Sequence, residues 1–338
     1  MNILLVGFDK PGAMERSYAR ALSSLGVDTE IFDWFESGAI PFVAALNRRP
    51  AWPIIARRAN ARLRHHCNRR SYDAIVVFKG LLVDRLTIER IQTPGRPVVC
   101  INPDNPWNRV RSSYSDVSHN AMPAWDAYLI WSKFLVDRLY CAGCRRVEVF
   151  PFAWDPQAHP YTMIEPADES NDIVFVGSWS RHREMWLSHL SDYRVTLFGT
   201  DWAAAAKRLG ADQFQVDATI PYDRQYAENT GRACVALNLL DPHNCPGSNM
   251  RSFEIPGIGG VTCSTYTTDL AEYFPDDAIF TFQTPRDLRA GIDRLLSDPM
   301  RRTEIRQRSH AIAQRHTYQV RAADLVALLE DLQGTNRR

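Results

Sequence analysis

Two turns in the second half of the chain combine small residues with arginines. The first turn, residues 175–184, has the sequence FVGSWSRHRE and holds Gly177, Ser178, Arg181 and Arg183. Backbone N–H groups at a helix start and guanidinium groups are good ligands for a diphosphate. The pattern therefore predicts an anion site directly after a strand. A plain strand–helix turn with solvated arginines is the alternative.

The second turn, residues 247–254, ends in a carboxylate. It consists of Gly247, Ser248, Asn249, Met250 and Arg251, with Glu254 three residues further on. Ser248 or Asn249 can cap a helix, whose first N–H groups then point at an anion. Glu254 can accept hydrogen bonds from both hydroxyls of a ribose, or it can be a surface glutamate paired with an arginine. A glycine-rich segment, PGIGG at 256–260, follows and by itself indicates only a turn.

The first half of the chain offers two candidates for a general base or an acceptor contact. Asp104 lies in NPDNP, residues 102–106, directly after the strand-like run VVCI. A carboxylate at the carboxyl end of a parallel strand can act in a cleft, but Asp before Asn-Pro is also a common turn former, so both roles stay open. His119 follows in a polar stretch, where a surface role is the favoured alternative.

The elements that position these residues are short apolar runs separated by helix-length spacers. Buried parallel strands with crossover helices have this pattern. The runs are 3–6, 74–78, 98–101, 128–131 and 147–150, and then 171–177, 195–198, 234–239 and 260–263. We predict an α/β fold of two tandem, Rossmann-like, doubly wound parallel-sheet domains that face a cleft at the carboxyl ends of their strands.

The expected domain boundaries follow from where this pattern lapses. Residues 1–155 form the first domain, and the proline-rich, acidic stretch 156–170 is a linker. The strand pattern restarts at 171, so residues 171–318 form the second domain. A C-terminal helix and tail cover 319–338.

Composition and charge argue against several classes of protein, namely nucleic-acid-binding, secreted and membrane-spanning proteins. A net charge of +1 over 338 residues does not favour wholesale nucleic-acid binding. The start of the sequence has no secretory signal pattern, and no apolar run reaches the length of a membrane span. Seven scattered cysteines indicate a reduced, cytoplasmic protein. Cys141 and Cys144 have CxxC spacing but no second pair, so no metal site is predicted.

One segment is strongly basic. Residues 37–72 contain no acidic residue and eight arginines, namely Arg48, Arg49, Arg57, Arg58, Arg62, Arg64, Arg69 and Arg70. A basic helix with apolar anchors, here Trp52 to Ile55, can lie on an anionic membrane or face a lipid-linked acceptor. The alternative is a solvated helix face whose apolar residues lie in the core.

From about residue 171 to 329 the sequence resembles the spore-maturation CgeB-like glycosyltransferases, relatives of the retaining GT-B enzymes of glycosyltransferase family 4. The matching blocks are FVGS with Arg183-Glu184, FGTDW at 198–202, Asn238-Leu239, RSFEIPGIGG at 251–260 and HTYQVR at 316–321. The first domain matches more loosely, through 102–106 and 149–155.

The resemblance implies a nucleotide-sugar donor held mainly by the second domain. It implies that Glu254 binds the ribose, that Arg183 and the 248–251 turn bind the diphosphate, and that the loop Thr219, Ile220, Pro221 and Tyr222 binds the base. The family 4 pattern has another glutamate eight residues before Glu254, where this sequence has Pro246. The contacts of that glutamate to the donor sugar are therefore not implied here.

The resemblance also implies the reaction. A retaining enzyme needs no protein nucleophile, because the leaving phosphate can take the proton of the acceptor, whereas an inverting enzyme needs a general base. The chain contains no Asp-x-Asp motif, so we expect no cofactor and no metal, with Arg183 and Arg251 stabilising the leaving diphosphate. A glycan, a lipid-linked molecule or a protein is the acceptor. A sugar-nucleotide epimerase of the same layout, or a non-catalytic sugar-nucleotide-binding protein, are the alternatives.

Overall fold

The computed structural model describes residues 1–34, 36, 52–109, 113–210 and 212–335. The chain divides into two compact units, one formed by Met1–Pro151 with Tyr318–Arg338 and the other by Phe152–Thr317. Each unit is built on one six-stranded sheet. Residues 156–170 lie inside the second unit, and the C-terminal segment lies in the first.

The first unit is a parallel sheet with the strand order β2-β1-β3-β4-β5-β6. Its strands are β1 (Asn2–Gly7), β2 (Asp28–Asp33), β3 (Ala74–Phe78), β4 (Val98–Asn102), β5 (Ala127–Ile130) and β6 (Val147–Val149). Its helices before the second unit are α1 (Met14–Ser24), α2 (Trp52–Arg69), α3 (Arg85–Ile91), α4 (Asp116–Ala121) and α5 (Val136–Cys141). Every residue of β3, β4 and β5 is buried, as expected for apolar strands covered on both faces.

The second unit is also a parallel sheet, with the order β12-β11-β10-β7-β8-β9. Its strands are β7 (Asn171–Val176), β8 (Val195–Phe198), β9 (Phe214–Asp217), β10 (Ala233–Asn238), β11 (Thr262–Thr265) and β12 (Phe280–Phe282). Its helices are α6 (Arg181–Leu187), α7 (Ala203–Leu209), α8 (Asp223–Gly231), α9 (Arg251–Gly257), α10 (Thr268–Tyr273), α11 (Pro285–Ser297) and α12 (Pro299–Ala313).

The strand order of the second unit reverses direction between β7 and β10. The chain first runs outward from β7 to β8 and β9, and then returns to the other side of β7 and runs outward from β10 to β12. In doubly wound sheets, ligands bind outside the carboxyl ends of the strands at this reversal. The turns after β7 and β10 are therefore the expected ligand position.

The last helix, α13 (Tyr318–Thr335), packs within the first unit. The rings of Tyr18 and Tyr318 meet edge to face with their centroids 5.1 Å apart. The Arg321 Nε donates a hydrogen bond to the carbonyl of Pro151 at 3.2 Å. The C-terminal segment is therefore an integral part of the first unit's core.

A buried charge network supports the amino end of the second sheet. The carboxylate of Glu169, just before β7, pairs with Arg302 and Arg306 of α12 at 2.5 and 3.0 Å. The three side chains are 4–6% exposed. Arg306 also donates to the carbonyls of Gly231 and Ala233. This network ties α12 to the starts of two central strands.

In the part of the chain that the structure describes, no helix is both long enough and apolar enough to cross a membrane.

Candidate functional site

Arg183 joins the two turns at the strand reversal of the second unit. Its Nη1 donates to the carbonyl of Ser178, after β7, at 2.8 Å, and its Nε donates to the carbonyl of Leu239, after β10, at 3.3 Å. Its Nη2 lies 3.1 Å from the carboxylate of Asp241. The structure therefore places Arg183, the arginine predicted to bind an anion, at the edge where doubly wound sheets bind small molecules.

Asp241 is a member of this site that the sequence analysis missed. Its second oxygen accepts a hydrogen bond from the Ser180 hydroxyl at 2.9 Å, and Ser180 in turn caps α6 by accepting from the Arg183 N–H. The sequence signal was a carboxylate directly after the β10 run, followed by proline. Asp241 thus fixes both the start of α6 and the direction of the Arg183 guanidinium.

Arg183 is paired with Asp241 and also experiences the charge of Arg251. Burial lowers the pKa of Arg183, the charge of Asp241 opposes that shift, and the charge of Arg251 adds to it. Arg183 and Arg251 therefore lie close enough for their charges to repel each other. A bound anion would offset this repulsion.

Glycines let the backbones of β7 and β8 approach each other beside this site. Gly199 has φ +138°, and a Cβ there would lie 2.4 Å from the carbonyl oxygen of Gly177. The same carbonyl accepts a hydrogen bond from the Trp202 indole at 2.7 Å. The FGTDW block at 198–202 therefore holds the Gly177–Ser178 turn in place.

The start of α9 is organised by Asn249. Its Oδ1 accepts hydrogen bonds from the N–H and the hydroxyl of Ser252 at 3.0 and 3.1 Å. Its Nδ2 donates to Asn238 Oδ1, at the end of β10, at 2.9 Å. Of the two residues proposed as a cap, Asn249 makes the side-chain contact to the helix N–H, and Ser248 is buried beside it. The amide network ties α9 to β10, next to Arg183.

Glu254 and Arg251 contact each other directly. Their side chains form an ion pair across one turn of α9. The side chain of Glu254 is only 8% exposed, and its other oxygen lies 3.9 Å from His159 Nδ1. The carboxylate proposed for the ribose and the guanidinium proposed for the diphosphate are thus held as one pair. The sequence analysis named pairing with an arginine as the alternative role for Glu254.

Two aromatic residues that the sequence analysis missed surround this pair. The Arg251 guanidinium lies 4.1 Å from the centroid of the Tyr226 ring, and the His159 ring stands edge-on to Tyr226 at 5.1 Å. His159 is buried, and its Nδ1 has no hydrogen-bond partner among the residues that the structure describes. Burial raises the pKa of Tyr226, so its phenol stays protonated. His159 falls in the stretch expected to be a linker, and no signal there pointed to a site.

The loop proposed for the base follows β9 and leads into α8. Thr219 donates two hydrogen bonds to Asp217 Oδ1, from its N–H at 2.9 Å and its hydroxyl at 2.7 Å. Ile220 and Tyr222 are 36% and 44% exposed. Helix α8 follows this loop and carries Tyr226, which contacts Arg251 of the Arg251–Glu254 pair. An exposed tyrosine at this position is available to stack on a planar ring.

The glycine-rich segment 256–260 has a packing role. A Cβ on Gly257 would lie 2.2 Å from the Trp154 ring, and Gly259 has φ +80°. The carbonyl of Gly257 bonds to His310 Nδ1 at 2.7 Å. Gly257 therefore lets the Trp154 ring pack against the end of α9, and Gly259 lies against Tyr161.

In the first unit, Asp104 and His119 have different surroundings. Asp104 Oδ2 lies 2.7 Å from the ammonium of Lys79, a partner that the sequence analysis missed. His119 Nδ1 bonds to the carbonyl of Ser115 at 3.1 Å, and its ring lies against Tyr114 at 4.5 Å. Asp104 is therefore part of a charged group at the end of β4, whereas His119 is fixed by its own helix and by an aromatic neighbour.

The basic segment is described from residue 52 onward; Arg48 and Arg49 lie outside the described residues. Helix α2 buries Ile55, Ala59 and Leu63. Its opposite face is exposed and carries Arg57, Arg58, Arg62, His65 and Arg69. Ile55 thus lies in the core, as the solvated-face alternative requires, whereas Ile54 is exposed, and α2 contains no acidic residue.

Within the described ranges, no three His, Cys, Asp or Glu side chains converge as metal ligands. The expected independence from metal remains a prediction.

Residues 181–327 match a protein-family model described as "Glycosyl transferase-like". This stretch contains Arg183, Asp241, Arg251 and Glu254. No curated protein matches the sequence.

The fold is similar to that of several solved glycosyltransferase structures. Sucrose-phosphate synthase from Thermosynechococcus elongatus aligns with a TM-score of 0.74 at 13% identity, over 99% of each chain. Anabaena HepE in complex with UDP-glucose aligns with a TM-score of 0.68 at 15% identity, over 98% of this chain and 100% of the other. AviGT4, a glycosyltransferase of avilamycin A biosynthesis, gives 0.64 at 15% identity, over 99% and 98%.

These likenesses, with the two six-stranded parallel sheets, confirm the predicted α/β, two-domain GT-B fold. Together with the family match, they support an enzyme that transfers glycosyl groups.

Proposed function

We propose that this protein is a glycosyltransferase that binds a nucleotide-sugar donor in its second unit, and that it is a CgeB-like relative of family 4. The observation that carries the proposal is the position of Arg183, whose guanidinium spans the ends of β7 and β10 at the strand reversal. This position lies inside the stretch that matches the glycosyl transferase-like family. One structural neighbour, HepE, was solved with UDP-glucose.

Arg183 and Arg251 would bind the donor diphosphate. Their charges repel each other, and burial already lowers the pKa of Arg183. A diphosphate placed near both guanidinium groups would offset this repulsion. The N–H groups of the turn at Gly177, Ser178 and Arg181 and the start of α9 at 247–251 would add hydrogen bonds.

Glu254 would bind the ribose hydroxyls. The ion pair with Arg251 fixes the orientation of the carboxylate, while its second oxygen, near His159, is available to accept a hydrogen bond from a hydroxyl. The exposed Tyr222, with Thr219, Ile220 and Pro221, would contact the base. Pro246 leaves the donor sugar without the contact that a family 4 glutamate would make.

The reaction would use electrostatic stabilisation by fixed arginines. As the bond between sugar and phosphate breaks, negative charge grows on the diphosphate and positive charge on the sugar. Arginines that are already held in position stabilise this charge without reorganisation, and one such group contributes about a hundredfold or more in rate. Arginine charge would take the place of a metal ion. The resemblance implies retention of configuration, with the leaving phosphate taking the acceptor's proton.

The donor assignment is tested by thermal stability in a panel of nucleotide sugars. A true donor at about one hundred times its dissociation constant stabilises by about 2.7 kcal/mol. NMR of the stabilising donor, with and without candidate glycan, lipid-linked and protein acceptors, then separates the reactions. Acceptor-dependent consumption supports transfer; interconversion without acceptor indicates an epimerase, and binding without turnover a sensor. Absence of stabilisation by every donor contradicts the proposal.

We further propose that the basic face of α2 lies on an anionic membrane, at the cytoplasmic side. This helix of 18 residues contains no acidic residue, and Ile54, at its start, is 72% exposed. Basic side chains beside an exposed apolar anchor are typical of interfacial helices. A reducing compartment fits the seven free cysteines, of which four are buried.

Vesicle flotation tests the membrane proposal. The protein should float with vesicles containing anionic phosphatidylglycerol, but not with neutral phosphatidylcholine, and salt should release it. The triple variant R57E/R62E/R69E should lose flotation. The matched control R286E/R294E/R315E, at exposed arginines of the second unit, should keep it. Equal loss in both variants, or flotation that ignores lipid charge, contradicts the proposal.

A further inference from the structure

The turn after β3 holds Lys79 in a backbone conformation that lysine seldom adopts. Lys79 has φ +63°, and the Gly80 N–H donates to the Phe78 carbonyl at 2.8 Å, which closes a three-residue γ-turn around Lys79. A non-glycine residue in this region is strained, and such strain persists where the surroundings enforce it. Strained residues of this kind cluster at functional sites.

The position of Lys79 in the first sheet is equally specific. The strand order β2-β1-β3-β4 means that the chain runs outward in opposite directions from β1 and from β3. Lys79 directly follows β3, at the carboxyl edge of this reversal. Ligands of doubly wound sheets bind at such an edge, so the strained turn and the topology indicate the same place.

The ammonium of Lys79 and the carboxylate of Asp104 meet at this edge, and the Glu15 side chain lies beside the end of β1. The Lys79 Nζ lies 2.7 Å from Asp104 Oδ2, beyond β4, and the two side chains are 34% and 29% exposed. Glu15, buried at the start of α1, accepts a hydrogen bond from the N–H of Phe8, after β1, at 2.9 Å. Burial raises the pKa of Glu15, and the charge of Lys79 opposes that shift. Lys79 and Asp104 remain open to solvent above a buried carboxyl group.

The charges of this group favour hydroxyls over phosphate. The Asp104 carboxylate already balances the Lys79 ammonium, and Glu15 adds a second carboxyl group. A phosphate would have to approach these oxygens, whereas a hydroxyl can donate to Asp104 and accept from Lys79. We propose that Lys79 and Asp104 bind the hydroxyls of a neutral sugar, the acceptor of the proposed glycosyl transfer, and that Glu15 positions the loop after β1. The inference rests on the proposed function.

Lysine footprinting tests the site before the natural acceptor is known. The chain has only four lysines, Lys10, Lys79, Lys133 and Lys207, so acetylation can be followed at each by mass spectrometry. The probes are the methyl glycosides of glucose, galactose, mannose and N-acetylglucosamine, and the 6-phosphates of the same sugars. At least one neutral glycoside should slow acetylation of Lys79 and not of Lys207, and the effect should be absent in Asp104→Asn.

The strained turn provides a second test that separates binding from folding. Lys79→Gly removes the ammonium but adopts a positive φ without strain, so its melting temperature should equal or exceed that of the wild type. With a glycoside that protects Lys79 as the acceptor, its KM for acceptor should rise about tenfold or more, as expected for loss of a charged hydrogen bond. Stabilisation by the nucleotide sugar should be unchanged. Lys207→Ala is the matched control and should leave both quantities unaltered.

The outcomes distinguish this inference from the donor assignment. Protection of Lys79 by the 6-phosphates alone overturns the neutral-sugar class. No protection by any probe, or an unchanged acceptor KM in Lys79→Gly, overturns the site while leaving the donor assignment intact. If nucleotide sugars fail to stabilise the wild type, the proposed function fails. Protection of Lys79 by a neutral glycoside would then still show that a sugar binds at this site.

Discussion

The side chains of Arg251 and Glu254, one turn apart on α9, form an ion pair with the guanidinium lying 4.1 Å from the Tyr226 ring. Sequence reasoning assigned these residues to different parts of a donor, the diphosphate and the ribose. In the structure they are a single unit, so a change in either residue alters the other. Arg251 therefore orients Glu254 as well as contributing positive charge.

Arg251→Ala should destabilise the protein and weaken donor binding together. The substitution leaves the carboxylate of Glu254 buried without its partner, which costs about 3 kcal/mol or more. Urea unfolding measures the loss. The double variant R251A/E254Q should recover part of it, because the uncompensated charge is gone. Equal stability of the single and double variants would show that the pair is not coupled.

Arg183→Ala should reduce turnover by about a hundredfold or more, because a fixed charge on the leaving diphosphate is lost. The measurement is kcat with the stabilising nucleotide sugar and its acceptor. Arg294→Ala, at an exposed arginine of α11, is the control for loss of charge alone and should retain activity. Kinetics unchanged by Arg183→Ala would remove Arg183 from the site.

The Glu169 network should matter for stability and not for the site. Glu169→Gln leaves Arg302 and Arg306 buried without a counter-charge, and we expect a loss of about 3–5 kcal/mol in the free energy of unfolding. Asp192→Asn breaks the exposed pair with Arg289 and should leave the free energy of unfolding nearly unchanged. Similar losses in the two variants would contradict a structural role for the buried network.

Stability should fall in mild acid through His310. Burial lowers the pKa of His310, whose ring stacks on Tyr161 with a centroid distance of 3.8 Å. The folded state prefers neutral His310. The contribution of His310 to the free energy of unfolding is therefore complete above the ordinary histidine pKa of about 6.5, and it declines as the pH falls below that value. Melting temperatures at pH 7.5 and 5.5 measure the decline, which should be smaller in His310→Gln. An identical decline in that variant would exclude His310 as the cause.

The sequence by itself determined the central strands of both sheets. Runs such as 74–78 and 195–198 coincide with β3 and β8. These strands are covered on both faces, so a continuous apolar run is required and is visible in the sequence. The edge strands β2, β9 and β12 were not predicted, because partly exposed residues interrupt their apolar pattern.

The sequence also located the two arginine-bearing turns, since a glycine or a capping residue after a strand is a local signal. The partners of these turns were decided only by the tertiary structure. Asp241 meets Arg183 and Tyr226 meets Arg251 because the sheet order places β10 beside β7 and packs α8 against α9. Lys79 and Asp104, on successive strands of the first sheet, are paired for the same reason.

The C-terminal helix shows the same contrast between what local sequence predicts and what tertiary contacts decide. Its helical pattern is local and was predicted within 319–338, but its place in the first unit depends on contacts such as Tyr18 with Tyr318. A helix forms from interactions three or four residues apart, and these are visible in sequence. Which surface buries it depends on residues hundreds of positions away, and only the folded chain brings them together.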